Sequence, residues 1–259
     1  MNKIDFSDVS FLIPIRIDSV HRIENIVMVT DFLLSNLKTK VYVLEADAYQ
    51  NGILRQLLNE GVDYVFVTDY DNVFHRTKYI NQMVALAKSK FVAIWDSDII
   101  IPIPQLIEAL AKLRDGTDAV YPYSGRFYDT SRLLREVFWE NRDIQFLQKN
   151  IAKMKLIYGE NMKGGAFMIN RSVYRKIGGE DERFYGWGPE DWERHERWKR
   201  LGLSIHLCKG VLFHLTHQRG INSKFRNMSQ MRSSNRLYKR TLSSSNRELQ
   251  NDIAARMGK

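Results

Sequence analysis

The chain has 259 residues, 44% hydrophobic and 12% aromatic, enough to bury one large core or two small ones. No apolar run approaches the length of a bilayer span, and the opening Met1 to Ser10, with Asp5 and Asp8, does not read as a signal peptide. The net charge of +9 is unevenly placed, because Arg219 to Lys259 carries ten Lys or Arg against two acids and leaves the other 218 residues at +1.

In chain order, Val9 to Ile15 is a continuous apolar run, the pattern of a strand buried on both faces. Val20 to Leu37 follows as an amphipathic helix, Lys40 to Glu45 as a second strand, Gln50 to Glu60 as a helix and Asp63 to Thr68 as a third strand. Thr77 to Lys88 reads as a helix leading into a fourth strand, Phe91 to Trp95. Alternation at these spacings predicts a parallel, doubly wound sheet, whose ligands bind at the carboxyl ends of the strands. That places Arg16, Glu45 and Asp96 on one rim. No G-x-G-x-x-G or Walker pattern is present, so neither a dinucleotide fold nor a P-loop is supported.

The fourth strand ends in Asp96-Ser97-Asp98. Strand side chains alternate, so the two carboxylates face one way and suit Mg²⁺ or Mn²⁺ bound with diphosphate oxygens. A lone D-x-D also occurs without a metal. Pro104 to Leu113 is a further helix and Ala119 to Tyr123 a further strand. Arg126 to Tyr158 is a mixed stretch of one or two helices, with Trp139, Phe146 and Leu147 on a buried face and no evident chemistry. Gly164-Gly165 precede a strand-like run to Asn170 and suggest close backbone approach to a ligand or a tight turn. Ser172 to Ile177 is a short helix stopped by Gly178-Gly179.

Phe184 to Asp191 packs aromatics, glycines and two carboxylates into eight residues. Glu190, Asp191 and Glu193 enter a helix ending near Leu201, where acids and Pro189 are also what a helix start favours. A strand at Ser204 to Leu207 follows. The single cysteine, Cys208, excludes an internal disulfide and a cysteine-based zinc site, and fits a reducing cytoplasm. His214 and His217 stand three apart and, beside an Asp-x-Asp, read as metal ligands. After Arg219 the chain is rich in Ser, Asn and Arg and reads as a mobile or surface-bound appendage.

These pieces, in this order, resemble the beta-1,4-galactosyltransferase-like family of inverting, nucleotide-sugar-dependent glycosyltransferases, and resemble still more the predicted bacterial glycosyltransferases of capsule biosynthesis. The likeness spans about Val9 to Gly220 and rests on IPIR at 13–16, FHRTK at 74–78, DSD at 96–98, GG at 164–165, GWGPED at 186–191 and HLTH at 214–217. It implies a GT-A type α/β fold, with a Rossmann-like, mostly parallel sheet flanked by helices. It also implies one domain over residues 1–220, with a nucleotide half near 9–123, an acceptor half near 124–220, and a basic tail over 221–259.

The resemblance implies roles as well. Pro14, Arg16, Arg76 and Lys78 would contact the nucleotide and Glu45 the uracil. Asp98 would bind Mn²⁺ or Mg²⁺ together with His217 and, in this chain, His214; Asp96 would lie beside the sugar-nucleotide. Gly165 would line the sugar pocket, Trp187 would belong to a loop closing over the donor, Glu190 would hold sugar hydroxyls, and Asp191 would be the catalytic base. Three departures stand out: His214 where vertebrate relatives carry methionine, Pro189 for a glycine of the loop, and Asp18 where an arginine is common.

The implied activity moves a hexose or N-acetylhexosamine, galactose or N-acetylgalactosamine favoured, from a UDP-sugar to a saccharide or lipid-linked saccharide in capsular or other surface polysaccharide synthesis. The setting expected is the cytoplasm, at the inner face of the cell membrane, with the basic tail touching anionic lipid. The competing readings are a nucleotidyltransferase acting on a sugar phosphate, which leaves GWGPED without a task, and a non-catalytic binder of anionic polymer or membrane. Nucleic acid is not expected, since the tail carries few stacking aromatics beyond Phe225 and Tyr238.

Overall fold

The structure is a computed structural model that describes residues 2–258. Its first half is built of β1 (Ile4–Ile15), α1 (Val20–Asn36), β2 (Leu37–Asp47), α2 (Ile53–Leu57), β3 (Val62–Thr68), α3 (Arg76–Leu86), β4 (Phe91–Trp95), β5 (Ile99–Ile100), α4 (Ile103–Arg114) and β6 (Ala119–Tyr121). The second half follows with β7 (Phe127–Asp129), α5 (Arg132–Asn141), α6 (Ile144–Lys149), β8 (Lys155–Ile157), β9 (Ala166–Asn170), α7 (Arg171–Lys176), α8 (Glu190–Arg200), β10 (Ile205–Leu207), β11 (Leu212–His214), α9 (Met228–Ser243) and α10 (Asn246–Arg256).

Seven strands form the main sheet in the order β10-β6-β9-β4-β1-β2-β3. β1 sits between β2 and β4 and pairs in parallel with both, which is why its residues from 9 to 15 are apolar but for Ser10 and are all buried. β9 runs antiparallel to both β4 and β6, and the other pairings of this sheet are parallel, so the sheet is mostly parallel, as expected. Four strands make a second, smaller sheet in the order β5-β11-β7-β8, which periodicity did not reveal because three of them have three residues and one has two.

Two other expectations change. The helix expected over 50–60 shrinks to α2: Gly52 enters it at φ +79°, and the Asn59 side chain accepts from Gly61 N in a turn soon after it. The appendage expected after residue 220 is instead two packed helices. α9 is capped by Asn227 and α10 by a capping box of Ser245 and Glu248. Leu249 and Ile253 are buried, Thr241 donates to Glu193 Oε1 at 3.0 Å, and Arg183 forms an ion pair with Asp252 at 2.6 Å. Few apolar residues suffice because side-chain hydrogen bonds and ion pairs to α8 and its flanking loop complete the attachment. Among the described residues no helix is long and apolar enough to cross a membrane.

The two sheets position the functional side chains. β1 and β4 end at one rim and deliver Arg16 and Asp96-Ser97-Asp98 there. Pairing of β5 with β11 sets His214 opposite Ile99, and Leu215 N donates to Asp98 O at 2.8 Å. Asp98 is thereby held against the two histidines although more than a hundred residues separate them in sequence. β9 enters beside Trp95, and Asp96 N donates to Gly165 O at 2.8 Å, which brings the two glycines to the same rim.

Candidate functional site

One ligand atom each from Asp98, His214 and His217 lies within 4.8 Å of the other two. His217 Nε2 stands 3.1 Å and His214 Nε2 3.8 Å from Asp98 Oδ2. Both rings are fixed from behind: His217 Nδ1 donates to the Gln218 carbonyl at 2.8 Å, and His214 Nδ1 lies 2.7 Å from Asp129 Oδ1. A carbonyl only accepts, so the Nδ1 proton is assigned and Nε2 faces the carboxylate, the arrangement that readies an imidazole for a metal. Burial works against the ionised Asp98, yet His214, His217 and Arg22 outweigh it and hold the carboxyl far below its ordinary range. This set of one carboxylate and two imidazoles fits a divalent cation of the Mn²⁺ type.

At the end of β1, Pro14 lines the cleft, and Arg16 is held by Ala46 O at 2.8 Å, Asp71 O at 2.6 Å and Asp69 Oδ2 at 2.6 Å, with its guanidinium over the Phe74 ring. Arg22, which no sequence pattern singles out, lines the cleft as well. Its Nε donates to Asp18 at 2.9 Å and its Nη1 stands 3.9 Å from Asp98. Arg22, the i,i+4 partner of Asp18, thus brings a positive charge to the rim beside Asp98. Glu45 is buried at the end of β2, accepts from the Tyr64 hydroxyl at 2.6 Å and does not line the cleft. Lys78 also lies outside the lining, with its ammonium over the Tyr79 ring.

Across the cleft from the histidines, Arg76 donates to Asp96 Oδ1 through Nε at 3.1 Å and Nη2 at 2.5 Å, and its Nη1 stands 3.8 Å from Asp191 Oδ1. Burial disfavours its charge, but Asp96, Asp191 and Glu190 reverse that and raise its pKa. Asp191 Oδ1 accepts from Arg194 Nη2 at 2.8 Å, and Arg194 is itself fully buried against Glu180 at 3.2 Å. Its Oδ2 points at Gly164, where a Cβ would collide with it. Glu190, the first residue of α8, is buried, and its Oε2 has no hydrogen-bond partner. Burial first and Asp191 second push its carboxyl up to about 8. The helix start therefore carries two unlike acids: one held by arginines and 26% exposed, one neutral at pH 7 and buried.

Trp187 is 39% exposed at the mouth, edge-on to Phe225 with ring centres 4.8 Å apart. Gln230 of α9 donates to the carbonyls of Tyr185 at 2.7 Å and Trp187 at 3.0 Å, and Gly186 at φ +79° makes the turn between them. Gly165 at φ +76° lies against Phe127 and Leu212, and a Cβ there would stand 2.7 Å from the Phe127 ring. Phe127 and Tyr158 belong to the stretch that reads as chemically silent in sequence, yet both line the cleft, and Asp129 orients His214. Nothing in a one-dimensional pattern could expose them, since three-residue strands carry no periodicity.

The cleft between these walls has a volume of about 620 Å³, within the range of small-molecule sites. It takes in Pro14, Arg16, Arg76, Asp96, Asp98, Gly165, Trp187, Glu190, Asp191, His214 and His217, leaving out only Glu45 and Lys78 of the residues singled out from sequence.

A family model described as the N-terminal domain of galactosyltransferase matches residues 147–219, the part that contains both glycines, the tryptophan loop and both histidines. In structure the chain is similar to the catalytic domain of Drosophila beta1,4-galactosyltransferase 7 in complex with xylobiose. The identity is 15% and the TM-score 0.57, covering 92% of this chain and 81% of that one. A mutant of the Drosophila enzyme in complex with manganese, UDP-Gal and xylobiose is similar at 15% identity and a TM-score of 0.53, covering 85% of this chain and 77% of that one. No curated protein matches the sequence. The fold is of the GT-A type.

Proposed function

We propose that the protein is a metal-dependent inverting glycosyltransferase that moves a hexose from a UDP-sugar, UDP-galactose favoured, to a hydroxyl of a saccharide acceptor. The observation that carries this reading is one cleft with a metal-ligating triad on one wall and the Glu190–Asp191 pair on the other. The matching galactosyltransferase model and the Drosophila enzyme's UDP-Gal, manganese and xylobiose support it.

In this mechanism Asp98, His214 and His217 would hold Mn²⁺. When bound, the ion supplies positive charge to the diphosphate leaving group. Arg16 and Arg22 add further positive charge along the β1 rim, where the nucleotide lies, and Arg76 holds Asp96 at the opposite wall. Asp191 is the base: Arg194 fixes Oδ1, and Oδ2, in the space left by Gly164, takes the acceptor hydroxyl's proton. Glu190, neutral at pH 7, has both a donor and an acceptor to offer sugar hydroxyls. One base on the face opposite the leaving group inverts the anomeric centre. Trp187 covers the reacting pair and limits hydrolysis by water.

A screen of nucleotide sugars for Mn²⁺-dependent UDP release tests the reading. Asp191→Asn should lower turnover by about 10²–10⁴-fold while nucleotide binding persists, and Asp98→Ala should abolish metal dependence. Full activity in Asp191→Asn removes the base assignment, and pyrophosphate release from a nucleoside triphosphate favours a nucleotidyltransferase. The finer reading is synthesis of capsular or other surface polysaccharide at the inner face of the cell membrane, on lipid-linked acceptors. It rests on the sequence resemblance and on the basic surface of α9, where Arg232, Arg236, Lys239 and Arg240 are exposed at helical spacing.

A further inference from the structure

Glu108, His206 and Cys208 form a second cluster of ligating side chains, and none of them lines the cleft. β10 is an edge strand of the main sheet, and Cys208 N extends its pairing by donating to Tyr121 O at 2.9 Å. Residues two apart on a strand share a face, so His206 and Cys208 are presented together to α4. There Glu108 Oε1 lies 3.0 Å from His206 Nε2. One ligand atom from each of the three stands within 4.8 Å of the other two.

We propose that Glu108, His206 and Cys208 bind a zinc ion that clips β10 to α4. Carboxylate oxygen, imidazole nitrogen and thiolate sulfur are each zinc ligands, and three protein ligands leave a fourth tetrahedral position for water. The sulfur separates this site from the all-oxygen-and-nitrogen set at Asp98, which suits a harder ion, so the two sites sort two metals by ligand softness. Glu108 and His206 side chains are 40% and 34% exposed and give the ion its entry, while buried Cys208 closes the inner side. On binding, a sulfur–zinc bond replaces the sulfur–hydrogen bond, and the proton leaves to the buffer. A single cysteine rules out a multi-cysteine zinc centre but not this mixed one.

The location gives the clip a purpose. Cys208 is followed by the turn at Lys209-Gly210 and then by β11, which carries His214. Gln105, one turn earlier on α4, already ties this turn through Nε2 to Pro122 O at 2.7 Å and Val211 O at 3.1 Å. Zinc would fasten the same helix to the strand just before it.

The test uses the full chain, stripped of metal by a chelator and titrated with Co²⁺ as a spectroscopic substitute for zinc. A thiolate bound to Co²⁺ gives a near-ultraviolet charge-transfer band, which the Asp98, His214 and His217 set cannot give. The expected result is that band at one equivalent, its displacement by Zn²⁺, and its persistence in Asp98→Ala. Cys208→Ser should abolish it, and the half-exposed His206→Gln, which leaves the core intact, should weaken Zn²⁺ binding at least about tenfold. A Co²⁺ spectrum without the sulfur band, or Zn²⁺ affinity unchanged in His206→Gln, overturns the proposal.

Discussion

Gly164 has no side chain because Asp191 occupies the space one would take. Gly164→Ala should therefore leave the fold intact and push the carboxylate off its position, lowering turnover by about 10–100-fold with a smaller effect on UDP binding. Equal losses in both would show that the glycine serves the nucleotide instead. Glu190 makes the opposite kind of prediction, because its site destabilises the charged form. An acid whose folded pKa is raised contributes stability below its unfolded value near 4.5, and that contribution is lost as pH rises through about 8. Glu190→Gln should remove this pH dependence and raise Tm at pH 8 by about 3–6 °C, while lowering activity. A Tm that falls at pH 8 contradicts the buried, neutral assignment. Both residues stand out in the sequence as a carboxylate pair and a glycine pair, but their unlike chemistry does not. It arises from Arg194 on one acid and burial of the other.

At the scale of elements, α8 shows how far tertiary context overrides pattern. Its sequence is strongly polar, yet Trp198, Arg194 and Arg197 are buried. Each buried guanidinium has a carboxylate, Arg194 with Glu180 at 3.2 Å and Arg197 with Glu193 at 2.9 Å, and Arg194 also stacks over Phe167. Such pairs are costly to break singly, which makes α8 a rigid mount for Glu190 and Asp191. α9 covers the same helix and fastens the tryptophan loop through Gln230. The basic residues of the tail therefore hang on a folded element with one face committed. Arg232→Glu, Arg236→Glu and Lys239→Glu together should preserve turnover on soluble acceptors and reduce binding to vesicles rich in anionic lipid at low salt. Unchanged vesicle binding ends the membrane reading without touching the enzyme.

At the scale of the whole molecule, pairing within the two sheets brings to one cleft side chains that the chain visits far apart, Asp98 with His214 and His217 among them. Burial disfavours a charged His214 ring, but Asp98 and Asp129 outweigh that and raise its pKa, so protons compete with metal for the ring. Mn²⁺ affinity should fall by roughly tenfold per pH unit once the pH drops below that raised value, as read by isothermal titration. A pH-independent affinity would place the ion on carboxylates alone. The strands β1 to β4, the helices between them and the rim they end on are legible in the sequence, because buried parallel strands and amphipathic helices impose their own periods. So are the residue types of the site, since hard donors, a histidine pair and a glycine-flanked tryptophan carry their chemistry in their identity. The sequence by itself determined that inventory and the order in which it is met. Only the tertiary structure decided that β9 runs antiparallel, that β5 pairs with β11 to seat Asp98 against His214, that Arg22 approaches Asp98, and that the tail folds onto α8. Each is a contact between segments distant in sequence, made by strands too short or helices too polar to announce themselves, and its energy comes from partners that no local pattern contains.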